Sequence, residues 1–191
     1  MATEILMLLF ACVVTNNVGL QGIGMLEVQN PKKNFRFVAL VSGSICLMAT
    51  LTALVYYFIQ NYFLAAFELQ FMKIFILTVL VGMEAFAVSA IVRKMSKEIY
   101  FLFDKNYSFL NLIAITVGIL LTVDFSASLL MVVLNALFLG IGFMLINFMF
   151  YAYEDRIQTK DVNVAFRSLP ITMFIVAFIG MLFYAISMLL I

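Results

Sequence analysis

Six long apolar runs dominate this chain and leave few residues over for anything else. A helix needs about 20 apolar residues to cross the hydrocarbon core of a bilayer. Only helices and closed barrels satisfy their backbone hydrogen bonds there. The runs are near-continuous rather than alternating, so helices are expected. They cover roughly Ile5 to Leu26, Phe37 to Ile59, Ile74 to Val92, Tyr107 to Val123, Leu129 to Tyr151 and Pro170 to Ile191. Charged residues make up 11% of the chain against roughly 25% in a soluble domain, too few to cover a water-facing surface. The expected fold is all-α, a single polytopic membrane domain over residues 1–191 with six transmembrane helices.

Several function classes are excluded at once. The chain contains no His, which removes the usual neutral-pH acid/base, any Ser-His-Asp triad and the commonest metal ligand. No phosphate-cradling Gly-x-x-x-x-Gly-Lys motif occurs, and there is no basic tract for nucleic acid. The two cysteines, Cys12 and Cys46, both lie inside apolar runs, where free Cys commonly acts as a small buried hydrophobe. The start, Met1-Ala-Thr-Glu4, lacks the basic segment of a signal peptide, so the first run is expected to be retained.

The first and fourth runs are irregular. Thr15-Asn16-Asn17 is followed by Val18-Gly-Leu-Gln-Gly-Ile-Gly24. Each interior Gly costs a helix about 1 kcal/mol against Ala, and a discontinuous helix is written this way. The fourth run, Tyr107-Ser-Phe-Leu-Asn111-Leu-Ile-Ala-Ile-Thr116-Val-Gly118, is a weaker version. Close helix packing through small and polar residues is the alternative in both places. The spacing divides the chain into two three-helix halves, about residues 1–97 and 98–191. An odd number of spans inverts one half relative to the other, and each half opens on its irregular helix.

Lysine and arginine set the expected orientation. Lys32, Lys33 and Arg36 precede the second run. Arg93, Lys94, Lys97 and Lys105 lie between the third and fourth, and Arg156, Lys160 and Arg167 between the fifth and sixth. The remaining cation, Lys73, edges the third run from the other side. The three basic loops are therefore expected in the cytoplasm and both termini outside.

Glu84 is the conspicuous candidate for function. A carboxylate near the middle of a span costs about 2.5–3.5 kcal/mol, and such groups tend to handle ions or protons. A protonated, hydrogen-bonded packing role is the alternative. Lys73 lies about 16 Å away along the helix, too far for an ion pair. Asn16, Asn17 and Asn111 stand where the irregular helices would open, so they join Glu84 as candidates for an ion or proton path. Interhelical hydrogen bonding, typically about 0.6 kcal/mol each, is the plainer role for them. Ala136, Gly140 and Asn147 share one face of the fifth run and read as a packing seam.

The last loop reads Glu154-Asp-Arg156-Ile-Gln-Thr-Lys-Asp161-Val-Asn-Val-Ala-Phe166-Arg167-Ser-Leu-Pro-Ile171, and the final run continues through Gly180-Met181-Leu. This resembles the A/E-type membrane subunits of the Rnf and Na+-translocating NADH:quinone reductase (Nqr) complexes. Those carry an Arg-Glu pair, then Asp-Val-Pro, then Phe/Leu-Arg-Gly, then Gly-Leu-Met. Arg156, Asp161 and Arg167 carry the likeness in this cytoplasmic loop. Thr15-Asn16-Asn17, Lys32-Lys33 and Val92-Arg93-Lys94-Met-Ser96 resemble three further stretches. The resemblance implies two inverted three-helix repeats, a homologous six-helix partner of opposite orientation, and flavin-binding partner subunits. It also implies a cytoplasmic-membrane location and redox chemistry coupled to ion movement. In the family each member of the pair supplies two cysteines to an iron–sulfur cluster. Here those positions fall on Met25, Leu26 or Glu27, and on Ala114. The family's acidic residue late in the third span falls near Ser89, more than a turn beyond Glu84.

The expected function is thus a membrane subunit of an Rnf/Nqr-like redox-linked complex, accessory rather than catalytic. It would hold no iron–sulfur cluster or other metal of its own, with flavin carried by partners. The alternatives are a vitamin or flavin transporter component and a subunit that serves assembly alone. Tags in the loops near Lys32 and Arg156 are expected to report from the cytoplasm, and a tag after Ile191 from outside. A cytoplasmic C-terminus would contradict both the charge pattern and the resemblance.

Overall fold

A computed structural model describes Cys12, residues 35–64, 67, 69–95, 109–156 and 169–190. Among these residues there are five α-helices and no strand. We label them α1 (Phe35–Ile59), α2 (Lys73–Met95), α3 (Phe109–Leu121), α4 (Leu129–Arg156) and α5 (Leu169–Leu190). They match the second to sixth apolar runs to within a few residues. A π-helical turn, Gln60–Leu64, prolongs α1, and a 3-10 turn, Gln70–Met72, leads into α2. Three stretches are long and apolar enough to cross a bilayer: Val38–Leu64, Lys73–Lys94 and Leu129–Tyr153. The described apolar parts of α3 and α5 are shorter, Asn111–Leu121 and Met173–Ile186.

Of the two readings open for the fourth run, a break and close packing through small and polar residues, the described part follows the second: α3 is continuous from Phe109 to Leu121. Packing against α1 and α2 outweighs the small helix cost of one glycine. The expected break in the first run lies outside the described residues, as do the sixth helix of the count and the start of the fourth run.

Among the described helices, α1 and α4 make the largest contact. They run antiparallel, because Phe35 at the start of α1 stacks on Phe148 near the end of α4, with ring centroids 5.2 Å apart, and also meets Tyr151. At the opposite end Tyr56 of α1 meets Phe125 edge-on at 4.7 Å, just before α4 begins. Lys73, at the start of α2, lies over the same Phe125 ring at 5.1 Å. Lys73 therefore shares one end of the bundle with the α3–α4 turn, while Arg93 and Lys94 close α2 at the other.

Helices α1 and α4 approach closely at Gly140. A β-carbon there would stand 2.7 Å from Cys46 Sγ and 2.9 Å from the Cys46 Cα. Small residues let membrane helices approach closely where the hydrophobic effect gives no drive between them. Ala136, one turn before, is fully buried. Asn147, two turns after, donates from Nδ2 to Ser42 Oγ at 3.2 Å. The seam read from the sequence is the α1–α4 interface. Helices α2 and α3 pack on α1 and on each other, burying Leu77, Val81, Ala85, Leu112 and Ile115. Helix α5 sits apart from this core, placing Ile175 and Ile179 against Ile146 and Phe150 of α4.

The outside of the bundle is apolar. Phe75, Met83, Phe86 and Ile91 of α2 and Phe174, Phe178 and Met181 of α5 are exposed. Such surface is untenable in water and costs nothing against lipid tails, so the chain is a membrane protein. The α3–α4 turn is polar. Asp124 Oδ1 accepts bonds from the Ser126 hydroxyl and backbone N–H. These bonds, with a smaller contribution from Lys73, hold its carboxyl below the usual range.

Gly140→Ala is expected to destabilise the fold by about 1–3 kcal/mol through overpacking, read as a lower midpoint of thermal unfolding in detergent. Gly43→Ala, where a β-carbon would meet nothing within 4 Å, is the matched control and is expected to be neutral or slightly stabilising.

Candidate functional site

Polar atoms inside hydrocarbon must find partners within the protein, so they mark the places where the structure concentrates specificity. The fully buried polar side chains among the described residues are Ser42, Thr52 and Thr116. Ser42 accepts from Asn147, and Thr116 donates to the Leu112 carbonyl one turn back in its own helix. Thr52 does something different: its hydroxyl crosses from α1 to α2 and donates to Glu84 Oε2 at 2.7 Å.

That crossing stands out against the other hydroxyls. Ser44, Thr50, Thr78 and Thr122 each donate to a carbonyl three or four residues earlier. This is the ordinary way a helix satisfies Ser and Thr in an apolar setting. Glu84 is half-buried on α2, flanked by buried Ala85 and exposed Met83 and Phe86. It sits at the middle of a 23-residue helix, about 16 Å from either end. The carboxyl group therefore lies at the α1–α2 contact, deep in the span and at its outer edge.

The other sequence candidates divide. Asn111 is half-buried in the first turn of α3, a helix that packs on α2. Arg156 ends α4. Asn16, Asn17, Asp161 and Arg167 lie outside the described residues. Sequence reasoning missed Thr52, because nothing distinguishes it from Thr50 until the helices are packed. It also missed Asn135, whose Oδ1 accepts from the Cys12 thiol at 2.8 Å. An amide in the apolar run of α4 was the available signal.

Among the described residues, the side chains at the family's ligand position and the two cysteines are placed as follows. Ala114, at one family ligand position, offers a methyl group on the exposed side of α3. Cys12 is buried and bonded to Asn135. Cys46 packs on Gly140 and donates weakly to the Leu137 carbonyl at 3.8 Å. Among the described residues no three His, Cys, Asp or Glu side chains come together as a metal site would need. The positions Met25, Leu26 and Glu27 are outside the described residues.

No protein-family model matches the chain. It is similar to the A-type subunit of the ion-translocating oxidoreductase complex of Ectopseudomonas mendocina (strain ymp), at 23% identity over 174 residues covering 90% of each chain. The likeness runs nearly end to end and agrees with the resemblance carried by the Arg156–Asp161–Arg167 loop.

Replacing Cys12 and Cys46 together by Ala is expected to leave assembly, function and metal content of the purified protein unchanged, read by elemental analysis. Stoichiometric iron lost only in the double variant would mean that ligation has been rebuilt around these thiols.

Proposed function

We propose that this chain is an integral membrane subunit of an Rnf/Nqr-like redox-linked, ion-moving complex. The observation that carries the reading is the similarity to one component of an ion-translocating oxidoreductase complex over 90% of both chains. The apolar helices and the single mid-span carboxyl of α2 fit such a role.

The helix contacts also support the inverted repeat. If the second and fifth spans are equivalent, they should form a central antiparallel pair, as α1 and α4 do. The repeat equates the α1–α2 contact with the α4–α5 contact, and both are present. It equates the packing of α3 on α1 with packing of the first span on α4, and Cys12 meets Asn135 there. In this reading both termini face outward from the cytoplasm across the cell membrane. A homologous six-helix subunit of opposite orientation is the partner.

The chain holds no cluster of its own, so electrons pass through flavins on neighbouring subunits, and this one contributes the membrane scaffold and part of the ion path. The cytoplasmic loop bearing Arg156, Asp161 and Arg167 is the surface that docks those neighbours. Affinity purification of the tagged chain from its native membranes tests the reading. A second six-span protein and flavin-bearing subunits are expected to co-purify in fixed ratio. Recovery with a pair of ATPase subunits would overturn the proposal in favour of a transporter component. Recovery of the chain alone under conditions that preserve known membrane complexes would also overturn it.

A further inference from the structure

We propose that Glu84 is a proton-binding site held at the α1–α2 seam by Thr52, and that the ion this subunit helps to move is the proton. The inference rests on the reading above and names its ion. It begins from an imbalance of charge. Helix α2 packs on α1 and α3. Helix α3 has no ionisable residue. The ionisable residues of α1 are Arg36 at its start, Cys46, Tyr56 and Tyr57, and none of them is the group that meets Glu84. On α2 itself Lys73 and Arg93 stand about 16 Å and about 14 Å away along the axis. Lys73 is engaged with Phe125. Among the described residues Glu84 therefore has a hydroxyl opposite it and no cation. A carboxyl so placed is neutral, or brings a cation of its own.

The surroundings favour the proton over a metal cation. A hard cation gathers about six oxygen ligands. The described seam offers the two carboxyl oxygens and one hydroxyl. Its backbone carbonyls belong to continuous helices, α1 and α2, and are already engaged in helix bonds. A proton needs one oxygen and one acceptor geometry. The Thr52 hydroxyl donates to Oε2, which leaves Oε1 to carry the proton. Loss of that proton gives the carboxylate, which keeps the Thr52 bond, and uptake of one proton restores the acid. No other atom changes partner. The position is open to a membrane-soluble reagent, since Glu84 lies at the edge of the seam beside exposed Met83 and Phe86 rather than in the closed core.

Dicyclohexylcarbodiimide tests this directly, because it dissolves in the membrane and reacts with a protonated carboxyl. The acid proton goes to a carbodiimide nitrogen, a carboxyl oxygen bonds to the central carbon, and rearrangement leaves a stable N-acylurea. The full chain in its own membranes is treated across a pH series and read by mass spectrometry of the fragment containing residue 84. One adduct on Glu84 is expected. Its rate should fall about tenfold per pH unit once the acid is titrated. It should be absent in Glu84→Gln, and Thr52→Val should shift the pH profile. A water-soluble carbodiimide should label far more slowly. No adduct at any pH, an unshifted profile in Thr52→Val, or equal labelling by the water-soluble reagent would each overturn the proposal. Protection by added sodium but not potassium would overturn it in favour of a metal-cation site. Labelling reads this chain whether or not partners co-purify, so failure here and failure of the proposed assembly are separate results.

Discussion

The contact between α1 and α4 is the one on which the remaining packing depends. In lipid, apolar side chains gain little by leaving hydrocarbon for one another's company, so two helices associate only where their surfaces fit closely. Gly140 supplies that fit by admitting the backbone of Cys46 to within a β-carbon's reach. Around this point Ile45, Met48, Ala49, Ala136, Leu139 and Phe143 are buried. Aromatic contacts at either end, Phe35 with Phe148 and Tyr56 with Phe125, set the pair antiparallel and in register. Helices α2 and α3 then have a formed surface on α1 to lie against, and α5 has one on α4.

Hydrogen bonding supplies the second layer of specificity. A bond between membrane helices contributes modestly, typically about 0.6 kcal/mol, but an unpaired polar atom in hydrocarbon costs several times that. The chain therefore matches donors to acceptors across helices at a few places. Asn147 meets Ser42, Cys12 meets Asn135, and Thr52 meets Glu84. The first two tie neutral groups together and lock a register. The third ties a neutral donor to a carboxyl group.

The likeness to part of an ion-translocating oxidoreductase complex and the absence of cysteines at the family's ligand positions pull in different directions, and the packing reconciles them. The architecture depends on apolar runs, one close-approach glycine and alternate basic loops, none of which requires a thiol. Both cysteines have been absorbed into helix contacts instead. Such a scaffold does not depend on a thiol at those positions.

The sequence by itself determined the membrane class, the helical content and the bounds of five helices, because a bilayer demands long apolar runs and internally satisfied backbones whatever the packing. It also marked Glu84, since a carboxylate within such a run is conspicuous at any depth, and the face shared by Ala136, Gly140 and Asn147. Tertiary structure decided what those residues meet. Thr52 looks like Thr50 in the chain, yet one points across to Glu84 and the other back to its own helix, because α2 lies on only one side of α1. Cys46 could not be told from a lipid-facing cysteine until Gly140 was found against it. The continuity of α3 through Asn111 and Gly118 was decided the same way, by packing on α1 and α2 that local helix propensity, at about 1 kcal/mol for a glycine, is too weak to overrule.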